Sequence, residues 1–195
     1  MRPSSMTKCL LIIVSGPPCT GKATLGKRLA EDLRLPFFNK DGIKEILFDT
    51  LGWKDRDWSR KLGVASYELL YHAVEAQVSA GKPVIMESNF SNGRATTRIQ
   101  EMKTRYEAET LQIQCTTGGE VLFNRFKERA ESGDRHPGHV DTSTYDEMRD
   151  ILLKGKHDPL DIGGLIIEVD TTDFAAIQYN QLLTEVQAWL GQAIK

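Results

Sequence analysis

The segment GPPCTGK at positions 16–22 constrains this chain more than any other part of it. It follows the apolar run 9–14 and precedes a helical pattern that begins near Gly21. A strand, a glycine loop and a helix in this order are the context in which the spacing G-x-x-x-x-G-K forms a phosphate-binding loop. The glycines let successive backbone N–H groups point at phosphate oxygens, and the helix N-terminus adds its positive dipole. The segment therefore predicts a nucleotide site in which Lys22 is the cation on the β- and γ-phosphates.

The residue after the lysine departs from the usual motif. A Ser or Thr hydroxyl normally contacts Mg²⁺ there, but this chain has Ala23, followed by Thr24. Mg²⁺ commonly keeps several waters and takes further ligands from phosphates, so such a site can tolerate the loss. The alternative is a site that binds nucleotide weakly and hydrolyses nothing. The residues predicted to contact the nucleotide are Gly16, Pro17, Pro18, Cys19, Thr20, Gly21, Lys22, Ala23 and Thr24.

The composition predicts a single globular domain. The chain has 195 residues, of which 40% are hydrophobic and 27% are charged. The net charge of −2 argues against nucleic-acid and membrane partners. Cys9, Cys19 and Cys115 lack metal-site spacing, so free thiols in a reducing cytoplasm are the simplest account. No stretch reaches transmembrane length or resembles a cleavable signal peptide, and we expect a monomer or a homodimer.

Short apolar runs alternate with helical patterns along the chain, which predicts an α/β fold. Strands are predicted at 10–15, 36–39, 84–87, 111–115 and 165–169, and their apolar character throughout is typical of burial on both faces. Helices are predicted from about 21, and at about 41–50, 57–80, 93–106, 120–131 and 174–193. In the third helix the stripe containing Leu62, Leu69 and Ala76 is expected to face inward. The alternation implies βαβ units and a parallel sheet with helices on both faces.

Two carboxylates follow strand ends. In an open α/β sheet, ligands bind beyond the carboxyl ends of the strands, so Asp41 should face the phosphate loop. A carboxylate there can accept the proton of an attacking hydroxyl, although Asp41 could instead only cap its helix. Glu87 ends the apolar strand 84–87, the position from which a carboxylate orients Mg²⁺ or a water.

A candidate mobile lid at 133–145 is rich in Gly, Pro, His and Asp. It contains Arg135, and Arg125 and Arg129 share a face of the preceding helix. A lid that brings arginines over the transferring phosphates would exclude water and neutralise charge, although the helical pair could simply contact acids or solvent. His136 and His139 lack a third metal ligand, so a phosphate, substrate or structural role is favoured for them.

The segment 41–80 is where a substrate-binding insert would lie. It carries aromatic and basic side chains that could clamp a planar or anionic acceptor, or could be a core anchor beside a solvated face. Both interpretations remain open for these residues, which are Trp53, Lys54, Arg56, Trp58 and Arg60.

These segments together resemble the P-loop kinase group that includes adenylate, shikimate and gluconate kinases and the kinase domain of polynucleotide kinases. More closely, the chain resembles ATP-binding proteins of the AAA family regarded as kinases. The matching stretches are 14–25, 40–41, 87–90, 135–139 and 168–172. The resemblance implies a three-layer P-loop NTPase fold with about five parallel strands, a helical insert at 41–80, a lid at 133–145, and ATP and Mg²⁺ as cofactors. By similarity to the adenylate-kinase loop, Thr24 would contact the α-phosphate and the metal would be held through water. The residues predicted at the metal are Thr24 and Glu87.

The leading prediction is an ATP-dependent phosphotransferase that acts on a hydroxyl or phosphate of a small molecule. Lys22 would hold the phosphates, Asp41 would activate the acceptor, and Glu87 would orient Mg²⁺. The transferring group would be stabilised by three arginines, namely Arg125, Arg129 and Arg135. One alternative is a 5′-hydroxyl polynucleotide kinase, against which the charge argues. The other is a non-catalytic ATP-binding switch module, which Ala23 favours. The acceptor itself is not specified by the sequence.

Overall fold

A computed structural model describes residues 9–193 of the chain. Its centre is a five-stranded parallel sheet in the order β2-β3-β1-β4-β5. The strands are β1 (Leu10–Ser15), β2 (Phe37–Asn39), β3 (Val84–Glu87), β4 (Glu109–Thr116) and β5 (Leu165–Asp170). The helices are α1 (Lys22–Leu33), α2 (Lys40–Leu51), α3 (Arg56–Ser79), α4 (Arg94–Tyr106), α5 (Gly119–Glu131), α6 (Tyr145–Leu153) and α7 (Tyr179–Ala193). Short 3-10 turns occupy Pro137–His139, Asp141–Ser143 and Phe174–Ala176.

Helices cover both faces of the sheet. Successive side chains of a strand point to opposite sides, so the apolar residues of β1 need helices on both faces to bury them. Leu11 and Ile13 of β1 belong to one core cluster with residues of α3 and α4. Ile12 and Val14 belong to a second cluster with residues of α1 and α7. The predicted three-layer α/β fold with parallel strands is confirmed. No helix within residues 9–193 is long and apolar enough to cross a membrane.

The edge strand β5 differs from the prediction of strands buried on both faces. Its first residues Leu165 and Ile166 are 44% and 43% exposed, whereas Val169 is buried. An edge strand pairs with a neighbour on one side only, here with β4, so an apolar composition does not ensure that its side chains are buried.

Three helical details also differ from the prediction. In α3 the buried stripe runs through Leu62, Leu70 and Val74, whereas Leu69 is exposed. Leu70 and Val74 each lie one position after a residue of the predicted stripe, and this neighbouring stripe carries the larger side chains. The last helix begins at Tyr179, after a separate 3-10 turn. Helix α6 was not predicted from the sequence, since it is short and no side chain caps its N-terminus.

Candidate active site

The phosphate loop between β1 and α1 requires glycine at both ends. Gly16 has φ +149°, and a Cβ atom there would lie 2.4 Å from the carbonyl oxygen of Cys115. Gly21 has φ +76°, and its Cβ would lie 2.5 Å from the Phe174 ring. Between them, Cys19 takes a left-handed conformation with φ +67°, which is uncommon for a residue with a side chain. The loop is thus held in a specific shape at the N-terminus of α1, where backbone N–H groups can bind an anion.

The sheet register brings the ends of three strands to one place. Val14 of β1 pairs with Glu87 of β3, and Glu87 pairs with Asn39 of β2. Lys22 reaches over this edge, where its Nζ donates a hydrogen bond to the Pro17 carbonyl at 3.2 Å and lies 3.6 Å from Oε1 of Glu87. The predicted phosphate cation and the predicted metal carboxylate are therefore neighbours.

The Glu87 carboxylate is almost completely buried. Burial raises its pKa, the Lys22 ammonium lowers it, and the charge of Asp41 raises it again, with a net upward direction. A second cation beside Glu87 would favour the ionised carboxylate. This is the chemistry of a carboxylate that receives a metal together with a nucleotide.

Asp41 lies in the first turn of α2 but does not cap the helix. The cap is Asn39, whose Oδ1 accepts a hydrogen bond from the N–H of Gly42 at 2.8 Å, so the interpretation of Asp41 as the cap was wrong. The Asp41 carboxylate instead accepts from Lys40 Nζ at 3.1 Å and Arg135 Nη2 at 2.9 Å. Its side chain is 39% exposed, into the cleft that it lines. Burial opposes its ionisation, but the charges of Lys40 and Arg135 hold its pKa well below the ordinary value.

The segment predicted as a lid is docked on α2. Arg135 bonds Asp41, Glu45 and Asp141 at 2.9, 3.2 and 3.1 Å, and its guanidinium also lies 2.9 Å from Nδ1 of His139. The other ring nitrogen of His139, Nε2, lies 2.9 Å from Oε1 of Glu45. Burial and the charge of Arg135 lower the pKa of His139, so its ring is neutral at pH 7. Because Arg135 can only donate, Nδ1 of His139 accepts and Nε2–H donates to Glu45.

The three predicted arginines do not all lie in the cleft. Arg129 and Arg135 line the cleft, and Arg129 Nη2 lies 3.6 Å from Oδ2 of Asp141. Arg125 instead donates to the carbonyls of Thr171 and Thr172 at 2.9 and 2.8 Å, beyond the end of β5. It does not line the cleft, although it shares a helix face with Arg129. Arg125 therefore holds the loop that follows β5.

Thr24 is also separate from the cleft. It is exposed and lines a different pocket, with Arg28, Phe174 and Tyr179. Thr24 and Glu87 thus line two different pockets of the structure. In the part of the chain that the structure describes, no three His, Cys, Asp or Glu side chains are placed to hold a metal by themselves. The residues present fit Mg²⁺ bound through Glu87, water and phosphate oxygens, which is a common arrangement for this ion.

The cleft contains several residues that the sequence did not indicate as site residues. Lys44, Ser88 and Asn89 line it, together with Arg56 from the predicted insert. Neither Trp53 nor Trp58 lines it, and Trp58 donates its indole N–H to the Gly52 carbonyl at 2.8 Å. Six cations face the cleft against three carboxylates. The cations are Lys22, Lys40, Lys44, Arg56, Arg129 and Arg135, and the carboxylates are Asp41, Glu87 and Asp141. The excess of positive charge suits substrates that carry several negative charges.

Comparison with known proteins agrees with this geometry. Residues 11–152 match the family described as an AAA domain, and the chain belongs to that family. A crystal structure from Chloroflexus aurantiacus J-10-fl, described as a "putative kinase", is 39% identical, with a TM-score of 0.85 over 97% of this chain and 100% of that chain. A sugar kinase from Janibacter sp. HTCC2649 is 18% identical, with a TM-score of 0.52 over 94% and 95% of the two chains, and shows a shared fold only. No curated protein matches the chain. The predicted P-loop kinase fold is confirmed, and the family and the 39%-identical neighbour support nucleotide binding and a kinase-type function.

Proposed function

We propose that the protein transfers the γ-phosphoryl group of ATP to a hydroxyl or phosphate of a small molecule. One observation carries the proposal: an ionised carboxylate, Asp41, shares a single cleft with the loop lysine Lys22 and the strand-end carboxylate Glu87. These are the parts that phosphoryl transfer needs, namely a phosphate clamp, a group that orients the acceptor, and a carboxylate for the metal.

The reaction follows from these positions. The loop N–H groups and Lys22 bind the β- and γ-phosphates of ATP. Asp41 accepts the proton of an acceptor hydroxyl while that oxygen bonds to the γ-phosphorus, and the bond to the β–γ bridging oxygen breaks to release ADP. Glu87 would hold a Mg²⁺ ion through water, and such an ion would supply positive charge to the phosphate oxygens. With a phosphate as acceptor, the attacking oxygen carries no proton that must leave, and the donors beside Asp41, Lys40 and Arg135, orient it.

The arginines divide between two roles in this proposal. Arg129 and Arg135 stabilise charge on the transferring group from the lid side of the cleft. Arg125 is a positioning residue, because its two hydrogen bonds fix the loop at 171–172, which leads to Phe174 against Gly21 of the nucleotide loop. The 3-10 turns of the lid exclude water when they dock on α2.

A second candidate is a nucleotide-responsive module that binds ATP without transferring phosphate. Ala23 favours it, since this side chain offers no hydroxyl to a metal. The three free thiols Cys9, Cys19 and Cys115 support a cytoplasmic location for either candidate.

An acceptor panel separates the two candidates. The panel would contain nucleotides, sugars, sugar acids, shikimate-like acids, aminoglycosides and a 5′-hydroxyl oligonucleotide, each with Mg·ATP. ADP release and an acceptor mass increased by one phosphoryl group would be measured, with Lys22→Ala as the control. Phosphorylation of one acceptor class that is lost in Lys22→Ala supports the kinase. ATP binding without phosphorylation of any acceptor favours the switch module.

A further inference from the structure

Lys44 is unusual among the cations of the cleft because it is buried. It is only 5% exposed, and its Nζ donates to the hydroxyl of Ser59 at 2.9 Å. A fully buried lysine normally has an anionic partner. Within residues 9–193, no carboxylate is paired with Lys44 at 4.0 Å or less. The described residues therefore give Lys44 no ion-pair partner at this distance, although Asp41 on the same helix acts on it at longer range.

Arg56 lies on the same wall of the cleft and also has unused hydrogen-bonding capacity. Its Nη2 donates to Glu147 at 2.8 Å, but its Nε is buried and has no partner. Across the cleft, Nε of Arg129 is buried and unpartnered as well. A buried N–H group without an acceptor destabilises the protein unless a ligand or water satisfies it. These donors are thus available to the oxygens of a ligand.

The electrostatics of this wall point in the same direction. Burial and the charges of Lys40, Arg56 and Arg135 lower the pKa of Lys44 to about 8, and the carboxylate of Asp41 acts against them. Lys44 and the cations around it would repel each other less if an anion lay between them.

Lys44 and Arg56 come from α2 and α3, the elements of the predicted substrate insert, whereas the nucleotide loop lies between β1 and α1. An anion that binds Lys44 and Arg56 therefore lies on the side of the cleft where the phosphate acceptor is expected, and not at the nucleotide loop.

On the basis of the proposed function, we infer that the phosphate acceptor is itself an anion, and that Lys44 and Arg56 bind its carboxylate or phosphate group. The anionic group lies on the wall formed by α2 and α3, and the hydroxyl to be phosphorylated points toward Asp41. A neutral acceptor would leave the buried ammonium with only the neutral Ser59 hydroxyl and the Arg56 Nε–H without any partner. Such unpaired polar groups are how a site rejects a ligand that lacks the matching group.

Matched acceptors test the inference during turnover. The two sets are glycerol, glycerate and glycerol 3-phosphate, and glucose, gluconate and glucose 6-phosphate, whose members differ in charge on a similar hydroxyl skeleton. We expect kcat/KM to be at least about 100-fold higher for an anionic member, since two charge-assisted contacts are gained. Lys44→Met and Arg56→Gln should each raise the KM of that acceptor about tenfold and leave the KM of ATP unchanged. The matched control is Arg60→Gln, one turn along α3, which also contacts Glu147 but does not line the cleft.

A binding measurement separates this inference from the proposed function. The nucleotide site is first saturated with Mg²⁺ and a non-hydrolysable ATP analogue, and inorganic phosphate or malonate is then titrated calorimetrically. Binding of either anion that weakens about tenfold in Lys44→Met and Arg56→Gln, but not in Arg60→Gln, supports the anion site even if no acceptor is phosphorylated. In that case only the transferase proposal fails. The inference is overturned if both anions bind all variants equally or bind none. It is also overturned if neutral and anionic acceptors are phosphorylated equally well. Arg56→Gln alters a partly exposed residue, so the test remains decisive if Lys44→Met does not fold.

Discussion

Replacing Gly138 by alanine is predicted to undock the lid while leaving the nucleotide loop intact. A Cβ at Gly138 would lie 2.7 to 2.8 Å from three atoms of the Phe48 ring, closer than real Cβ contacts come. The ring cannot easily move, because Phe48 is 1% exposed and lies 4.9 and 5.2 Å, between ring centroids, from His136 and His139. Overpacking of this kind costs about 1–3 kcal/mol.

The cost falls on the docked state of the lid, because Gly138 lies between Arg135 and His139, whose contacts hold the lid on α2. A shift of about 1–3 kcal/mol changes the docking equilibrium by roughly 5- to 150-fold. The acceptor kcat/KM should fall by a factor within that range, whereas the Kd of ATP should not change. Fluorescence of Trp53, whose ring lies 6.3 Å from that of His136, provides a direct measure of docking.

The control for this experiment is Gly191→Ala, where a new Cβ meets nothing within 4 Å. It should leave both kinetic parameters and fluorescence unchanged. The reasoning is refuted if folded Gly138→Ala has wild-type acceptor kcat/KM, or if it loses affinity for ATP to the same extent.

Three further predictions concern the loop and the titrating groups. Gly16→Ala should abolish detectable ATP binding by calorimetry, since its Cβ would lie 2.4 Å from a backbone carbonyl; unchanged affinity would show that the loop relaxes. The acceptor KM should rise as the pH passes about 8, because Lys44 attracts an anion only while it is protonated. An acceptor KM that does not change with pH, in protein with Arg56 intact, would contradict the role of Lys44. The pKa values of His139 and Glu45 are lowered by folding, so the unfolded chain binds more protons in acid. The free energy of unfolding should therefore be greatest above about pH 6.5 and fall as the pH drops through the range of His139 and then of Glu45, as chemical denaturation across pH would measure.

The parts of the site on the sheet could be predicted from the sequence because they depend on local patterns. Glu87 ends one apolar run and Asp41 follows another by two residues, so both mark strand ends, and parallel strands bring their carboxyl ends to one edge. The glycine spacing of the loop identifies the phosphate site in the same way.

The remaining parts depend on packing between distant segments. Lys44 has the sequence context of an exposed helical lysine, and only the packing of α3 against α2 buries it. Arg125 and Arg129 share a helix face, yet Arg125 donates its hydrogen bonds to the loop after β5 and does not line the cleft. Asn39 precedes Asp41 by two residues, and both residue types are common helix caps. Only the backbone conformation, which is extended at Asn39, shows which of the two caps α2.

The most direct test of the account is phosphoryl transfer from γ-labelled ATP in Asp41→Asn, measured with an acceptor that the panel identifies. We predict a loss of about 10²- to 10⁴-fold in the rate of transfer, with the Kd of ATP preserved, because the substitution removes the group that accepts the hydroxyl proton. Glu45→Gln is the control, since it removes a carboxylate that Arg135 and His139 contact but leaves Asp41 in place. It should lose much less activity. Wild-type transfer by folded Asp41→Asn, or equal losses in the two variants, would contradict the role of Asp41 in phosphoryl transfer.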